Sequence, residues 1–331
     1  MQLNKLTKEE SKVIDILKCI AILSVISAHV IQYSEVNLIA KIASIFWGKF
    51  SCIGVVIFFI IGGFLYSRND GDDAIFWKKK LFRIIIPWML AAIITYIIGF
   101  MLGLPLGVYE CFKWVFGSGT WFYYIVVYTF FLLIFKWIYK YNAVLYTLIG
   151  IQAVALALAS FDVSITINGG FFTDYLNPLY WIGYFSVGIL IRRYGINKRI
   201  ENNKKKVFVV SALLVIASLI FLCVNKINTY FDIVTMIFCV SSTVLITMFA
   251  YKINQYRIAT FIGQVGTYSY CIYLWHMQFL QGLFSKIPNN IFETLFSPII
   301  GLIIMIVLIK IGLFICNKIK GGNIIKMVVG L

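Results

Sequence analysis

Apolar runs, separated by short polar stretches rich in Lys and Arg, organise the whole chain. A helix needs about 20 apolar residues to cross the hydrocarbon core of a bilayer. That rule places ten candidate spans at roughly 13–33, 45–67, 82–103, 119–138, 143–160, 176–192, 207–225, 229–250, 260–285 and 295–316. The division near residue 140 rests on Lys136 and Lys140. Lipid offers no partner to backbone N–H and C=O groups, so each run is expected to be a helix. No period-two alternation of the kind a barrel strand requires is present. The expected fold is an all-α polytopic membrane protein with about ten transmembrane helices. It reads as one integral membrane domain over 1–331, with no soluble domain appended.

Composition narrows the picture further. The chain is 61% hydrophobic and 13% charged, whereas a soluble domain has about 45–50% apolar and about 25% charged residues. A soluble fold and a disordered chain are both excluded. The net charge of +16 is read as a topology signal, because cytoplasmic loops carry an excess of Lys and Arg. With the N-terminus inside, 22 of the 29 cations fall in cytoplasmic segments and five in outer loops; Lys18 and Lys310 lie within spans. Both termini are therefore expected in the cytoplasm. A nucleic-acid partner is not expected, since no basic face free of apolar sequence exists. The polar N-terminus MQLNKLTKEESK is followed by no signal-peptide cleavage site, so the first span is expected to be retained. The seven cysteines contain no C-x-x-C pair and read as small packing residues; no metal site is expected from them and two histidines.

Ionisable residues inside spans are expensive and point to function. The first span holds Asp15, Lys18 and His29. Lys18 and His29 are eleven residues apart, which puts them on one helical face, about 16 Å apart along the axis. Asp15 lies on the same stripe and can pair with Lys18. Lys18 has two readings: a ligand-facing cation, or a side chain that snorkels to the interface beside Asp15. His29 alone reads as a helix–helix contact. The other histidine, His276, lies as deep in the ninth span as His29 does in the first, and Ser269, Tyr273 and His276 share a face. That pairing of depth suggests one shared site. Lys78, Lys79, Lys80 and Arg83 precede Pro87 at the third span. They fit orientation by anionic lipid, or the phosphates of a nucleotide-like donor. Gly54, Gly62 and Gly63 in the second span signal close helix packing. Trp121, Tyr123 and Tyr124 open the fourth span, where an interfacial aromatic belt is one reading.

In order along the chain, these segments resemble the membrane-bound acyltransferase family 3, which includes bacterial O-acyltransferases of surface polysaccharides. The resemblance rests on Lys18 with His29, on Gly54, Val55, Phe58, Phe59, Gly63 and Phe64, on Arg83 with Pro87, on Trp121 with Phe122, and on Ser269, Tyr270, Tyr273, Leu274 and His276. Lys18 stands where the family more often has Arg, Gly62 where Ser is usual, and Gly119 and Thr120 where His often precedes Trp-Phe. The resemblance implies a protein of the bacterial cytoplasmic membrane. It implies acyl transfer from acyl-CoA, commonly acetyl-CoA, to a hydroxyl of a saccharide or glycolipid, with no permanently bound cofactor. His29 is then the expected general base. Lys18, Arg83 and Lys80 are the expected donor-binding cations, with Asp15 setting Lys18. His276 and Tyr273 are expected to stabilise the oxyanion or position the acceptor, beside Trp121. A transporter or flippase of a lipid-linked saccharide is the alternative, since buried ionisable residues in many spans also describe transporters.

Overall fold

The computed structural model describes all residues except 1–5, 31–36, 67–72, 104, 164, 167–169, 196–202, 285–290 and 320. Of the charges counted above, Lys5, Arg68, Lys198, Arg199, Lys286 and Lys320 lie outside the described residues. The described residues form helices, with two 3-10 turns, Asp174–Leu176 and Pro178–Tyr180, in the connection between Ser160 and Ile182. Seven stretches are long and apolar enough to cross a membrane: Lys8–Val30, Leu38–Phe64, Ala74–Met101, Asn142–Ser160, Lys204–Val224, Ile233–Ile253 and Ile291–Lys318. The three other expected spans take shorter or broken forms. Tyr123–Ile138 has 16 residues and Ile182–Tyr194 has 13. The expected span 260–285 is two helices, Arg257–Thr267 and Ser269–Phe284.

The first helix, α1 (Lys8–Val30), is central, and Ile16, Ala21, Ile22 and Ile26 on it are fully buried. Its start is a reciprocal cap: Glu10 N–H donates to Thr7 Oγ1 (3.1 Å) and Thr7 N–H to Glu10 Oε2 (2.9 Å). The second expected span begins earlier and is interrupted, as α2 (Leu38–Phe50) and α3 (Ile53–Phe64). The interruption has a local cause. Ser24 of α1 places its Oγ within 2.7 Å of the Phe50 carbonyl, and accepts from Gly54 N–H at 2.7 Å. A side chain inserted into the helical ladder breaks its continuity. A Cβ on Gly54 would stand 2.5 Å from the Ala21 carbonyl oxygen, so only glycine permits this approach.

After α4 (Asp73–Lys80), a π-helical stretch at Leu81–Ile85 leads into α5 (Ile86–Met101). Pro87 has no N–H for the Arg83 carbonyl and its ring crowds that oxygen, so the helix widens just before it. The chain continues through α6 (Val108–Val115), α7 (Tyr123–Ile138), α8 (Asn142–Ser160) and α9 (Ile182–Tyr194). Next come α10 (Lys204–Val224), α11 (Ile233–Ile253), α12 (Arg257–Thr267), α13 (Ser269–Phe284), α14 (Ile291–Lys318) and the short α15 (Gly322–Val328). Helices α3 and α9 cross glycine on glycine: a Cβ on Gly63 would meet the Phe185 carbonyl oxygen at 1.9 Å, and one on Gly188 the Ile60 carbonyl oxygen at 2.1 Å. Large apolar side chains cover the outside. Ile303, Val307, Ile311 and Phe314 form an exposed stripe on α14, the surface expected of a helix against acyl tails.

Several cations also act locally. Arg192 donates to the Phe64 carbonyl at 3.0 Å and caps α3. Arg193 donates to the Tyr139 carbonyl and to Asn142 Oδ1, which holds the division between α7 and α8. Lys49, counted with the outer loops, is instead buried (6% exposed). Its ammonium donates to the Ile227 carbonyl and, at 2.8 Å, to Asn228 Oδ1, and so ties α2 to the turn between α10 and α11. Replacing Lys49 with Met strands these acceptors, each costing about 1–3 kcal/mol. A clear fall in the melting temperature of K49M in micelles is the expected outcome.

Candidate functional site

The site begins on α1. Asp15 and Lys18 are bonded, Oδ1 to Nζ at 3.0 Å, with side chains 25% and 28% exposed. Behind them α12 lies backbone to backbone on α1, because Gly266 leaves no room there for a Cβ, which would fall 1.8 Å from the Asp15 carbonyl oxygen. Lys18 then faces a cavity of about 300 Å³ whose wall also includes Arg83, Tyr128, Tyr270, Tyr273 and Ser269. Arg83 comes from the π-helical stretch before Pro87. The Tyr270 hydroxyl donates to the Ile84 carbonyl at 2.6 Å and so pins that stretch to α13. Freed carbonyls of a widened turn need such partners. Two basic side chains, from sequence positions 18 and 83, thus meet at one void.

At the other end of the same group of residues sit the histidines. The rings of His29 and His276 lie 5.1 Å apart, inclined by 48°. His29 keeps exposed surface near the end of α1, while His276 is fully buried. His276 Nδ1 lies 2.8 Å from the Tyr273 carbonyl oxygen. A carbonyl only accepts, so Nδ1 carries the proton and Nε2 of the neutral ring is an acceptor. The Tyr273 hydroxyl donates to the Trp121 carbonyl, and the Trp121 ring stands edge-on to His276 with centroids 6.3 Å apart. Trp121 reaches this place through a tight turn after α6. Gly117 there has φ +78°, and a Cβ on it would be 2.4 Å from the Tyr123 nitrogen.

Every site residue expected from the sequence is therefore located. Asp15, Lys18, Arg83 and Tyr273 converge on the cavity or on each other, and Tyr273 is shared with the His29, His276 and Trp121 group. Lys80 stands one layer back. Its Nζ is 3.5 Å from the Tyr128 hydroxyl and 5.5 Å from the Phe76 ring centre. The Tyr273 hydroxyl proton is committed to Trp121, and His276 offers an acceptor, so their present contacts hold and orient neighbouring groups. The aromatic-belt reading of Tyr123 and Tyr124 is corrected. Tyr124 lines the cavity and packs 5.5 Å from Tyr273, and Tyr123 packs 4.8 Å from Tyr175. Tyr124 and Tyr128, one turn apart and stacked at 5.9 Å, were missed as wall residues. Their spacing on α7 is the signal that marks a common face. Among the described residues, no group of three or more His, Cys, Asp or Glu side chains is placed to hold a metal ion.

The model of acyltransferase family 3, an acyltransferase domain, matches residues 12–317. The chain belongs to acyltransferase family 3. The matched region contains the whole constellation from Asp15 to His276. Nothing among curated proteins or solved structures matches the chain. Within this membrane acyltransferase Lys18, Arg83 and Tyr273 line one cavity, and Tyr273 packs against the buried His276.

Proposed function

We propose that this acyltransferase moves an acyl group from cytoplasmic acyl-CoA, acetyl-CoA by the family's preference, to a hydroxyl of a cell-surface or lipid-linked saccharide. It works in the bacterial cytoplasmic membrane, with ten spans and both termini inside; the three shorter or broken helices complete the seven long ones. The observation that carries the reading is the shared cavity of Lys18 and Arg83, joined through Tyr273 to the two histidines. Basic side chains at one end suit the phosphates of a nucleotide-bearing thioester. A pair of imidazoles at the other suits an alcohol. The axial rise of about 16 Å between Lys18 and His29 is the distance that a long donor arm covers.

In this reading His29 takes the proton of the acceptor hydroxyl as its oxygen attacks the thioester carbonyl. The new C–O bond forms, the C–S bond breaks, and the proton passes from His29 to the departing thiolate. The products are the ester and free CoA. Asp15 holds Lys18 in place, and Lys80 adds positive potential behind Tyr128. The test is release of CoA thiol from acetyl-CoA by purified protein in vesicles that contain native saccharide acceptor, with the acetyl mass followed onto the saccharide. Arg83→Gln is expected to raise the KM for acetyl-CoA about tenfold, because one charge-assisted hydrogen bond is worth about 1.5–3 kcal/mol, with a smaller change in kcat. Movement of the saccharide across the vesicle wall with no CoA release identifies a flippase instead.

A further inference from the structure

Among the described residues, two buried polar atoms beside the histidine pair have no partner: His276 Nε2 and Trp121 Nε1. Buried polar groups are almost always satisfied, so each orphan asks for an explanation. The two are complementary. With its Nδ1–H given to the Tyr273 carbonyl, His276 presents a bare acceptor at Nε2. Trp121 presents an N–H donor, on a ring centred 6.3 Å from that of His276. A single hydroxyl is the small group that answers both, since it donates once and accepts twice. A carboxylate finds only one of the two atoms usable, and an ammonium group the other.

The second imidazole decides what carries that hydroxyl. His29 is assigned to the reacting hydroxyl, and its single proton cannot also go to His276. The rings of His29 and His276 are nevertheless side by side, 5.1 Å between centres. Two acceptors so close fit two adjacent O–H groups on neighbouring carbons.

We propose that the His29, His276 and Trp121 group is a clamp for a vicinal diol: His29 engages the hydroxyl to be acylated, while its neighbour donates to His276 Nε2 and accepts from Trp121 Nε1–H. This rests on the acyl-transfer reading and adds to it the substrate's second hydroxyl. The acceptor is a saccharide with a free hydroxyl next to the acylated position. In the absence of acceptor, a water satisfies the same two atoms with the same chemistry, and the diol displaces it. Tyr273 is a positioning residue here. It presents its carbonyl to His276 and its hydroxyl to the Trp121 backbone.

The experiment compares acetyl transfer from labelled acetyl-CoA to trans-1,2-cyclohexanediol and to cyclohexanol, with the full-length protein in vesicles. The wild type is expected to favour the diol by at least tenfold in kcat/KM, about the worth of one hydrogen bond left unmade in a buried site. Trp121→Phe and His276→Leu are expected to bring that ratio near one, with the KM for acetyl-CoA unchanged. His276→Gln, which keeps an acceptor oxygen, is expected to restore part of the preference. A wild type that acetylates native saccharide but does not favour the diol overturns the clamp. So do W121F and H276L enzymes that keep the wild-type ratio. Where H276L is not recovered as folded protein, W121F and H276Q decide: a W121F enzyme that keeps the wild-type ratio, or an H276Q enzyme with no preference for the diol, overturns the clamp. A wild type that releases no CoA with any acceptor removes the acyl-transfer reading itself.

Discussion

Replacing His29 with Ala is expected to abolish saccharide acylation, lowering kcat by about 10²–10⁴-fold, the usual contribution of a positioned general base. The loss should be specific. His29 sits near the end of α1 with exposed surface, so removing its ring leaves little unfilled volume. The proposed donor end, Lys18 with Asp15 and Arg83 at the cavity, is untouched by the change. H29A should therefore keep the wild-type KM for acetyl-CoA and a melting temperature close to the parent. The measurement is CoA thiol release together with acetyl mass on the saccharide. An H29A enzyme with wild-type kcat removes His29 from the base role. One with normal kcat but a tenfold higher acceptor KM makes it a binding residue only.

Gly266→Val should have an equally large effect by another route, the loss of the folded protein. A Cβ at this position meets the Asp15 carbonyl oxygen at 1.8 Å, and the opposing atoms are backbone. No rotamer change relieves that contact, so α12 must withdraw from α1. Overpacking a close helix contact costs about 1–3 kcal/mol even where side chains yield, and here the cost falls on two main chains. The expected result is aggregated or absent protein on size-exclusion chromatography of detergent extracts. Gly312→Val is the control, because among the described residues nothing lies within 4 Å of a Cβ there. Equal yields of monodisperse protein from both variants would show that the α1–α12 approach is not needed. The effect bears on function too. The contact sets the backbone under Asp15, and Asp15 holds Lys18 at the cavity.

Residues whose role depends on one helix were legible early. Asp15 and Lys18 are three apart, and helical spacing alone predicts their ion pair. The neighbourhood of His29 and His276 followed from equal depth in two spans, because a bilayer places residues on a common axis before any packing is known. Residues whose role depends on a turn or a break were not legible. Trp121 meets His276 across 155 positions of sequence only because Gly117 permits a tight reversal ahead of α7. Lys49 had the look of a loop cation, yet its partners lie in a turn more than 170 residues away. Likewise Ser24 interrupts a run that is continuous in hydropathy, and Pro87 shows in sequence as a kink while the chain answers with a wider turn.

From the amino-acid order alone came the all-helical membrane class, the family and the candidate polar stripe on α1. The class and the stripe are consequences of rules that act within about twenty residues: lipid demands internal backbone hydrogen bonds, and helical periodicity assigns faces; the family came from the resemblance of motifs spread from Lys18 to His276. The tertiary structure alone decided that Lys18 and Arg83 share one void, that Tyr273 joins that void to the histidines, and that Trp121 completes their surroundings. Those meetings depend on how closely two main chains can approach, at Gly54, Gly63, Gly188 and Gly266. Close approach is a property of pairs of helices, and no local pattern encodes which pair it will be.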